Sequence, residues 1–401
     1  MMPFRLILLA IVPCLIASTS QRTVAPTIAM QIENAALPHL AKTDTGHVVL
    51  SWVETDSTGS ELRFSVLGPN GWSAADTAAE GSDWFINWAD FPSVVPLGQS
   101  RWMAHWLRKR PGNKYSYDVV VSVSDDAGQN WRSGITPHLD NTPTEHGFVS
   151  LFTIEGAAAA LWLDGRNTSG HHGHDGGPMT VRAATFDEHG DIDRSYLVDS
   201  MVCDCCQTDS AVTAEGPVVV YRNRTAEEIR DIHISRFVDG GWTESQPVSD
   251  DRWQIDGCPV NGPAVAAEDQ RVATAWYTAA NDQPAIRLAL STDNGATFPT
   301  TVTVDSTRPL GRVDVAYLNA DTIAISWLRQ TGAGSADIVL GLFDQEGRAL
   351  SERIVEETSP LRQSGFPQMV EYGDGLLFAW TELEGSKTRV QVMHLSADNR
   401  K

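Results

Sequence analysis

Seven short apolar runs, each ending in an aromatic residue and recurring about every 55 residues, predict an all-β chain closed into a single β-propeller with seven blades. The runs are VVLSW to Trp52, WMAHW to Trp106, AAALW to Trp162, PVVVY to Tyr221, VATAW to Trp276, IAISW to Trp327 and LLFAW to Trp380, at intervals of 54, 56, 59, 55, 51 and 53. Alternating stretches follow them, such as LRFSVL, YDVVVSVS, IHISRF and RVQVMHL, and period-two alternation rich in Val, Ile and Thr is the pattern of strands. No sustained helical periodicity appears beyond the first twenty residues. Three or four strands per repeat describe a four-stranded antiparallel blade. One irregular repeat would leave six blades.

The elements follow in chain order. Residues 1–20 hold Arg5, an apolar run of about ten residues and then small residues, the order of a secretory signal peptide. Residues 21–401 then form a single propeller domain, secreted or periplasmic, with no integral membrane span. Cys14 offers a lipidation site, although Pro13 before it suits that poorly. TVAPTIAMQIE after the leader has no repeat of its own, and the seventh repeat ends after one strand beyond Trp380. The N-terminal segment is therefore expected to supply the outer strand of blade 7. Ahead of each aromatic, about twelve residues upstream, lies the first strand of its blade: PHLA from Pro38, PSVV from Pro92, GFVSL from Gly147, TDSAV from Thr208, GPAVA from Gly262, GRVDV from Gly311 and FPQMV from Phe366.

Charge narrows the partners. The 401 residues carry 51 Asp plus Glu against 30 Lys plus Arg, a formal net charge of −21, which is the wrong sign for holding phosphates. Nucleic acid is excluded on that ground. A hydrophobic content of 42% with 20% charged residues is enough for a large core.

Two turns carry a sharper mark. SDDAGQNW (Ser124, Asp126, Gly128, Trp131) and STDNGATF (Ser291, Asp293, Gly295, Phe298) both fit S-x-D-x-G-x-x-[W/F] in equivalent places of blades 2 and 5. This resembles the Asp-box, or BNR repeat, of the sialidase superfamily of β-propellers. The motif is a turn clamp: Asp accepts backbone N–H groups, Gly permits positive φ, and the aromatic packs between sheets. The resemblance implies a structural role for both boxes, on the face opposite a site.

On that opposite face the expected loops are WFINWADF (84–91), TPTEHGF (142–148), LDGRNTSGHHGHDGG (163–177), VCDCCQTD (202–209), YRNRTAEEIRD (221–231), WQIDGCPVNG (253–262) and PLGRVD (309–314). They hold an excess of Asp, Glu, Arg, His and Cys, so a site is expected there, for a glycan or small polar ligand. What the resemblance implies is glycoside hydrolysis of an acidic glycan: arginines gripping a carboxylate, an acid–base Asp, and a Tyr nucleophile activated by Glu. Candidates are Arg166, Arg222, Arg224 and Arg312 for the grip, Asp90 or Glu145 for the acid, and Tyr221 or Tyr277 for the nucleophile. The first blade reads ALPHL where the superfamily places an R-I-P motif, so it offers no Arg. Read from the residues alone, Asp90, Glu145 and Arg312 pair to line the channel.

Cys203, Cys205 and Cys206 enter blade 4 and Cys258 enters blade 5, so all four are expected together. In an oxidising compartment they form disulfides, with Cys203 or Cys205 joined to Cys258. Alternatively, with His171, His172 and His174, they bind copper or zinc in a non-catalytic metal-binding or ligand-binding propeller. The glycan reading requires no cofactor.

Overall fold

A strand that must satisfy both of its edges and cover both of its faces does so most simply inside a closed ring of sheets. The computed structural model describes residues 27–112, 114–168, 176–332, 334–385 and 387–396. Among them seven sheets follow one another, each an up-and-down antiparallel blade. Blade 1 runs Ala35–Lys42, Val48–Thr55, Ser60–Gly68 and Asp76–Gly81. Blade 2 has three strands, Ser93–Pro96, Trp102–Lys109 and Tyr117–Ser124. In place of a fourth strand, Ile135 bonds Val121 in both directions at 2.9 and 2.8 Å. Blade 3 is His146–Ile154, Ala157–Asp164, Met179–Phe186 and Ile192–Val202. Blade 4 is Asp209–Thr213, Gly216–Arg222 and Ile232–Val238 with short outer pieces. Blade 5 is Ala264–Glu268, Arg271–Thr278, Ala285–Ser291 and Thr300–Asp305. Blade 6 is Pro309–Asn319, Thr322–Gln330, Ala336–Phe343 and Ala349–Thr358.

Blade 7 closes the ring as the sequence leads one to expect. Its own strands are Gln368–Tyr372, Gly375–Glu384 and Lys387–Ser396, and its outer strand is Thr27–Glu33 from the other end of the chain. That strand pairs antiparallel with Lys387–Ser396, from Thr27 opposite His394 to Glu33 opposite Arg389. Among the described residues no helix is long and apolar enough to cross a membrane. The leader expected over 1–20, with Cys14, lies outside the described residues.

All seven repeat aromatics stand on second strands, and all but the half-buried Trp106 are buried. A buried indole must still satisfy its N–H. Four do so on carboxylates: Trp52 to Glu54, Trp162 to Asp164, Trp276 to Asp251 and Trp327 to Asp305, at 2.7–2.8 Å. The last two cross from one blade to the next. Between neighbouring sheets lie the hydrophobic clusters, one for each junction.

The two S-x-D-x-G turns share one hydrogen-bond pattern. Ser124 donates to Asp126 at 2.8 Å and accepts from the Gly128 N–H, while Asp126 accepts from the Asn130 N–H. Ser291, Asp293, Gly295 and Thr297 repeat these bonds. Gly128 has φ +85°, and a Cβ there would stand 2.8 Å from the Phe64 ring, so glycine is required twice over. Trp131 packs edge-on against Phe64 of blade 1. Both turns bond to the hairpin between strands one and two of their own blade, through Ala127 N–H to Ser100 and Asn294 N–H to Gln270.

Trp327→Ala removes a fully buried ring and the indole hydrogen bond to Asp305, which keeps Arg329 and the Thr307 N–H. It should lower the unfolding free energy by about 3–5 kcal/mol. Leu361→Ala, at a side chain 59% exposed, should stay within about 0.5 kcal/mol of wild type. Urea titrations of the two variants check this; equal effects would contradict the packing described.

Candidate functional site

First strands in a propeller face the axis, and here they enclose a cavity of about 290 Å³. Its wall includes His39, Asp90, His105, Asp209, Asp314 and Phe366. None of its lining residues is Lys or Arg. Each wall carboxylate accepts a backbone N–H of the following blade: Asp90 from Phe148 at 2.7 Å, Asp209 from Val265 at 2.7 Å and Asp314 from Met369 at 2.6 Å. Burial nevertheless dominates their ionisation. It pushes Asp90 and Asp209 up to about 7 and, with the Asp209 charge nearby, Asp314 up to about 8. Burial likewise pulls His39 down to about 4 and His105 down to about 3, so both imidazoles are neutral. His105 Nδ1 meets Ser93 Oγ at 2.9 Å. His105 Nε2 and His39 Nδ1 are buried with no partner.

Behind Asp90, the Tyr117 hydroxyl donates to Glu145 at 2.6 Å and lies 3.3 Å from Asp90. Burial pushes Glu145 up to about 8 and Tyr117 well above its ordinary value. Phe85 stacks on the Tyr117 ring at 4.1 Å, and Tyr117 is fully buried. The structure thus brings Asp90 and Glu145 together around Tyr117, but Arg312, expected to pair with them along the channel, bonds elsewhere, and of the three only Asp90 lines the cavity. Tyr221 faces elsewhere, its hydroxyl between Asp199 at 3.0 Å and Ser235 at 2.9 Å. Tyr221 therefore does not join the two carboxyls. Nor is Tyr277 placed for it: its ring packs on Trp253, between blades 4 and 5.

The four arginines do not form a grip. Arg222 is buried, bonds the carbonyls of Arg230, Asn261 and Tyr277 at 2.7–3.1 Å, and lies over the Trp253 ring. Arg312 bonds Ser364 and the carbonyls of Pro360, Leu361 and Gly365, over Trp88; burial and the Arg362 charge pull it down to about 10. Moving either would strand several buried carbonyls. Arg224 pairs with Glu228 at 2.6 Å and lies 3.5 Å from Asp204. Arg166 is held by Asp164 at 2.7 Å, beside a stacked His138–His146 pair and Asp140.

The cysteines do gather. Cys203, Cys205 and Cys206 are buried on the link from blade 3 to blade 4, with their sulfurs within 4.8 Å of one another and Cys203 Sγ 3.3 Å from Cys206 Sγ. Cys258, on the loop entering blade 5, is exposed and stands outside that cluster. Its loop is drawn onto the cysteine link at Gly262, where a Cβ would fall 2.1 Å from the Gln207 carbonyl. The bridge expected from this link to Cys258 is not formed, and all four are free thiols. Arg230, unremarked in the sequence although it lies in the 221–231 loop, is buried and donates to Cys203 Sγ at 3.4 Å. Burial would raise Cys203, but hydrogen bonds from Cys205 and Cys206 and the Arg230 and Arg222 charges outweigh it and hold this thiol well below its ordinary value. Hydrogen bonding raises Cys205, and burial raises Cys206. His171, His172 and His174 lie outside the described residues.

No known protein family matches the chain, and no curated protein is similar to it in sequence. Among solved structures, phage phi92 endosialidase superposes with a TM-score of 0.50 at 9% identity, over 92% of this chain and 68% of that one. A Penicillium chrysogenum α-L-arabinanase complexed with arabinobiose gives 0.49 at 12% identity, over 92% and 98%. Hadza microbial sialidase Hz136 gives 0.43 at 15% identity, and this chain, matched over 73% of its length, spans 63% of it. The likeness is one of fold.

The ionisation of the wall predicts a pH dependence. Asp314 folded titrates near 8 against 3.8 unfolded, so its contribution to stability is complete below about pH 4 and is lost as pH rises toward 8. The neutral histidines act with opposite sign, but only below their unfolded value of 6.5. Between 6.5 and about 8.5 the carboxyl effect stands apart. Over that window Asp314→Asn should lose less stability with rising pH than wild type, in urea unfolding at each pH; parallel pH profiles would contradict the assignment.

Proposed function

We propose that the protein binds a neutral carbohydrate in its axial cavity. The observation that carries this reading is the cavity wall. It offers uncharged hydrogen-bonding groups, two of them imidazole nitrogens with no partner, and no cation. An anionic sugar entering it would meet Asp90, Asp209 and Asp314 rather than a guanidinium. The expected acidic glycan therefore gives way to a neutral one, because Arg222 and Arg312 already hold backbone carbonyls.

Sugar hydroxyls suit this wall chemically. They can exchange hydrogen bonds with His39 Nδ1, His105 Nε2 and Ser93, while Phe91 and Phe366 offer an apolar face for C–H groups. A volume of about 290 Å³ accommodates about one ring. The fold shared with phage phi92 endosialidase is compatible with a glycan ligand, but the sialidase chemistry implied by the Asp-box resemblance needs a grip and a reachable nucleophile. Tyr117, the tyrosine nearest the paired carboxyls, is sealed under Phe85. Binding without sialoside cleavage is the reading these groups support, in a protein exported by its leader.

A panel of neutral and sialylated oligosaccharides, titrated by calorimetry, tests the proposal. Neutral ligands should bind more tightly than sialylated ones, and His39→Leu and His105→Leu should each weaken binding about tenfold, the loss of one hydrogen bond to a buried imidazole. Preference for the sialylated series, or no change in either variant, would overturn it.

A further inference from the structure

The cysteine link has a geometry that the axial cavity does not explain. Three buried sulfurs lie within 4.8 Å of one another, and a fourth, on Cys258 of the neighbouring loop, stands outside that cluster. Zinc–thiolate bonds of about 2.3 Å place the sulfurs of a tetrahedral site about 3.8 Å apart. The observed separations bracket that value, with 3.3 Å between Cys203 and Cys206 and an upper bound of 4.8 Å for the trio. Cys203 and Cys206 also have the C-x-x-C spacing by which one turn presents two thiolates to one ion.

The surroundings supply the countercharge. A divalent ion bound by three thiolates carries a net charge of −1, and by four −2, which is costly to bury without cations nearby. Arg230 places Nη1 3.4 Å from Cys203 Sγ, with its other nitrogens on Glu228. Its side chain is 1% exposed. Arg230 is charge-paired with Glu228, and its remaining nitrogen, turned onto Cys203 Sγ, favours anionic over neutral sulfur there. Cys258, itself exposed within the 253–262 loop, marks the open side by which an ion would enter.

We infer that Cys203, Cys205 and Cys206 form a three-sulfur binding site for one thiophilic d10 cation, Zn2+ or Cu+, with Arg230 as the positioning residue that balances its charge and Cys258, on the adjoining loop, as the fourth ligand drawn in on loading. Loading replaces the remaining thiol protons by the ion: each S–H that becomes an S–metal bond releases one proton to solvent, and nothing is oxidised or reduced. The ion fastens the blade 3–blade 4 link to the loop entering blade 5. Hard cations are disfavoured by an all-sulfur donor set. The site stands whether or not the axial cavity takes a sugar.

The full chain, reduced and kept under nitrogen, is titrated with Zn2+ against a chromophoric chelator and with Cu+ against bicinchoninate. A parallel Co2+ titration is followed in the near ultraviolet. One ion per chain and a thiolate-to-cobalt charge-transfer band are expected. Cys206→Ser should weaken binding at least a hundredfold, and Cys258→Ser, at an exposed position where folding is not at risk, about tenfold. Arg230→Met should weaken binding while leaving the cobalt band in place, since it removes no ligand. Tighter capture of either ion supports the site and identifies its occupant. Three results would overturn it: a folded, fully reduced chain that withdraws neither ion from its competitor, Cys258→Ser and Cys206→Ser variants that bind as wild type does, or native protein whose mass is lower by about 4 Da through two disulfides among these four residues.

Discussion

The ring depends on one recurring contact, a polar group of one blade bonded to the backbone of the first strand of its neighbour. It occurs at every junction: Ser51 with Val94 N–H, Asp90 with Phe148 N–H, Thr208 with the Phe148 carbonyl, Asp209 with Val265 N–H, Asn261 with Arg312 N–H, Asp314 with Met369 N–H, and Thr381 with Leu37 N–H across the closure. Leu37, Phe148 and Arg312 have positive φ of 54–57°, and in each case the pairing register of the strand shifts around them. Those bulges turn an N–H out of its own ladder and toward the preceding blade. Each costs backbone strain that the buried hydrogen bond offsets. Hydrophobic clusters between sheets supply most of the burial, but they are non-directional; the polar contacts fix the angle between blades.

Much of this was legible in the sequence because repetition amplifies a weak signal. One VVLSW is an ordinary strand; seven at nearly constant spacing specify second strands, and their aromatics stand as that spacing implies. Ring closure by the N-terminal strand followed from counting strands after Trp380. Less was legible at the site, since side-chain direction at a bulge has no local sequence signature. Arg312 and Arg222 read as solvent-facing ligand grips, whereas their guanidinium groups turn inward onto carbonyls left over by irregular loops. Tyr117 opens a strand that reads as core, and only the fold brings it between residues 27 and 28 positions away. Blade 2 lacks a regular fourth strand because residues 132–145 instead build the bonds around Asp118, Asp140 and His138.

Committing charged groups to junctions leaves a particular chemistry for function. Carboxylates that hold backbone amides cannot also be free acids in an open cleft, and arginines that hold carbonyls cannot grip an anion. What remains uncommitted on the axis is neutral: two imidazole edges, hydroxyls and aromatic faces. What remains uncommitted between blades 3, 4 and 5 is sulfur, beside a guanidinium that no backbone acceptor has claimed. On the two proposals above, the ring separates hydrogen bonding on the axis from soft-ion ligation beside it.

If junction contacts make the blades one cooperative unit, opening the ring at its closure must be felt all the way round. Native-state amide hydrogen exchange in the chain with and without residues 27–33 measures this directly. The account predicts that Phe148, Val265 and Met369 N–H are among the slowest-exchanging amides in the intact chain and lose protection together on removal of that strand. Loss of protection confined to blades 7 and 1, with Phe148 and Val265 unchanged, would show that the blades are held independently and would contradict it.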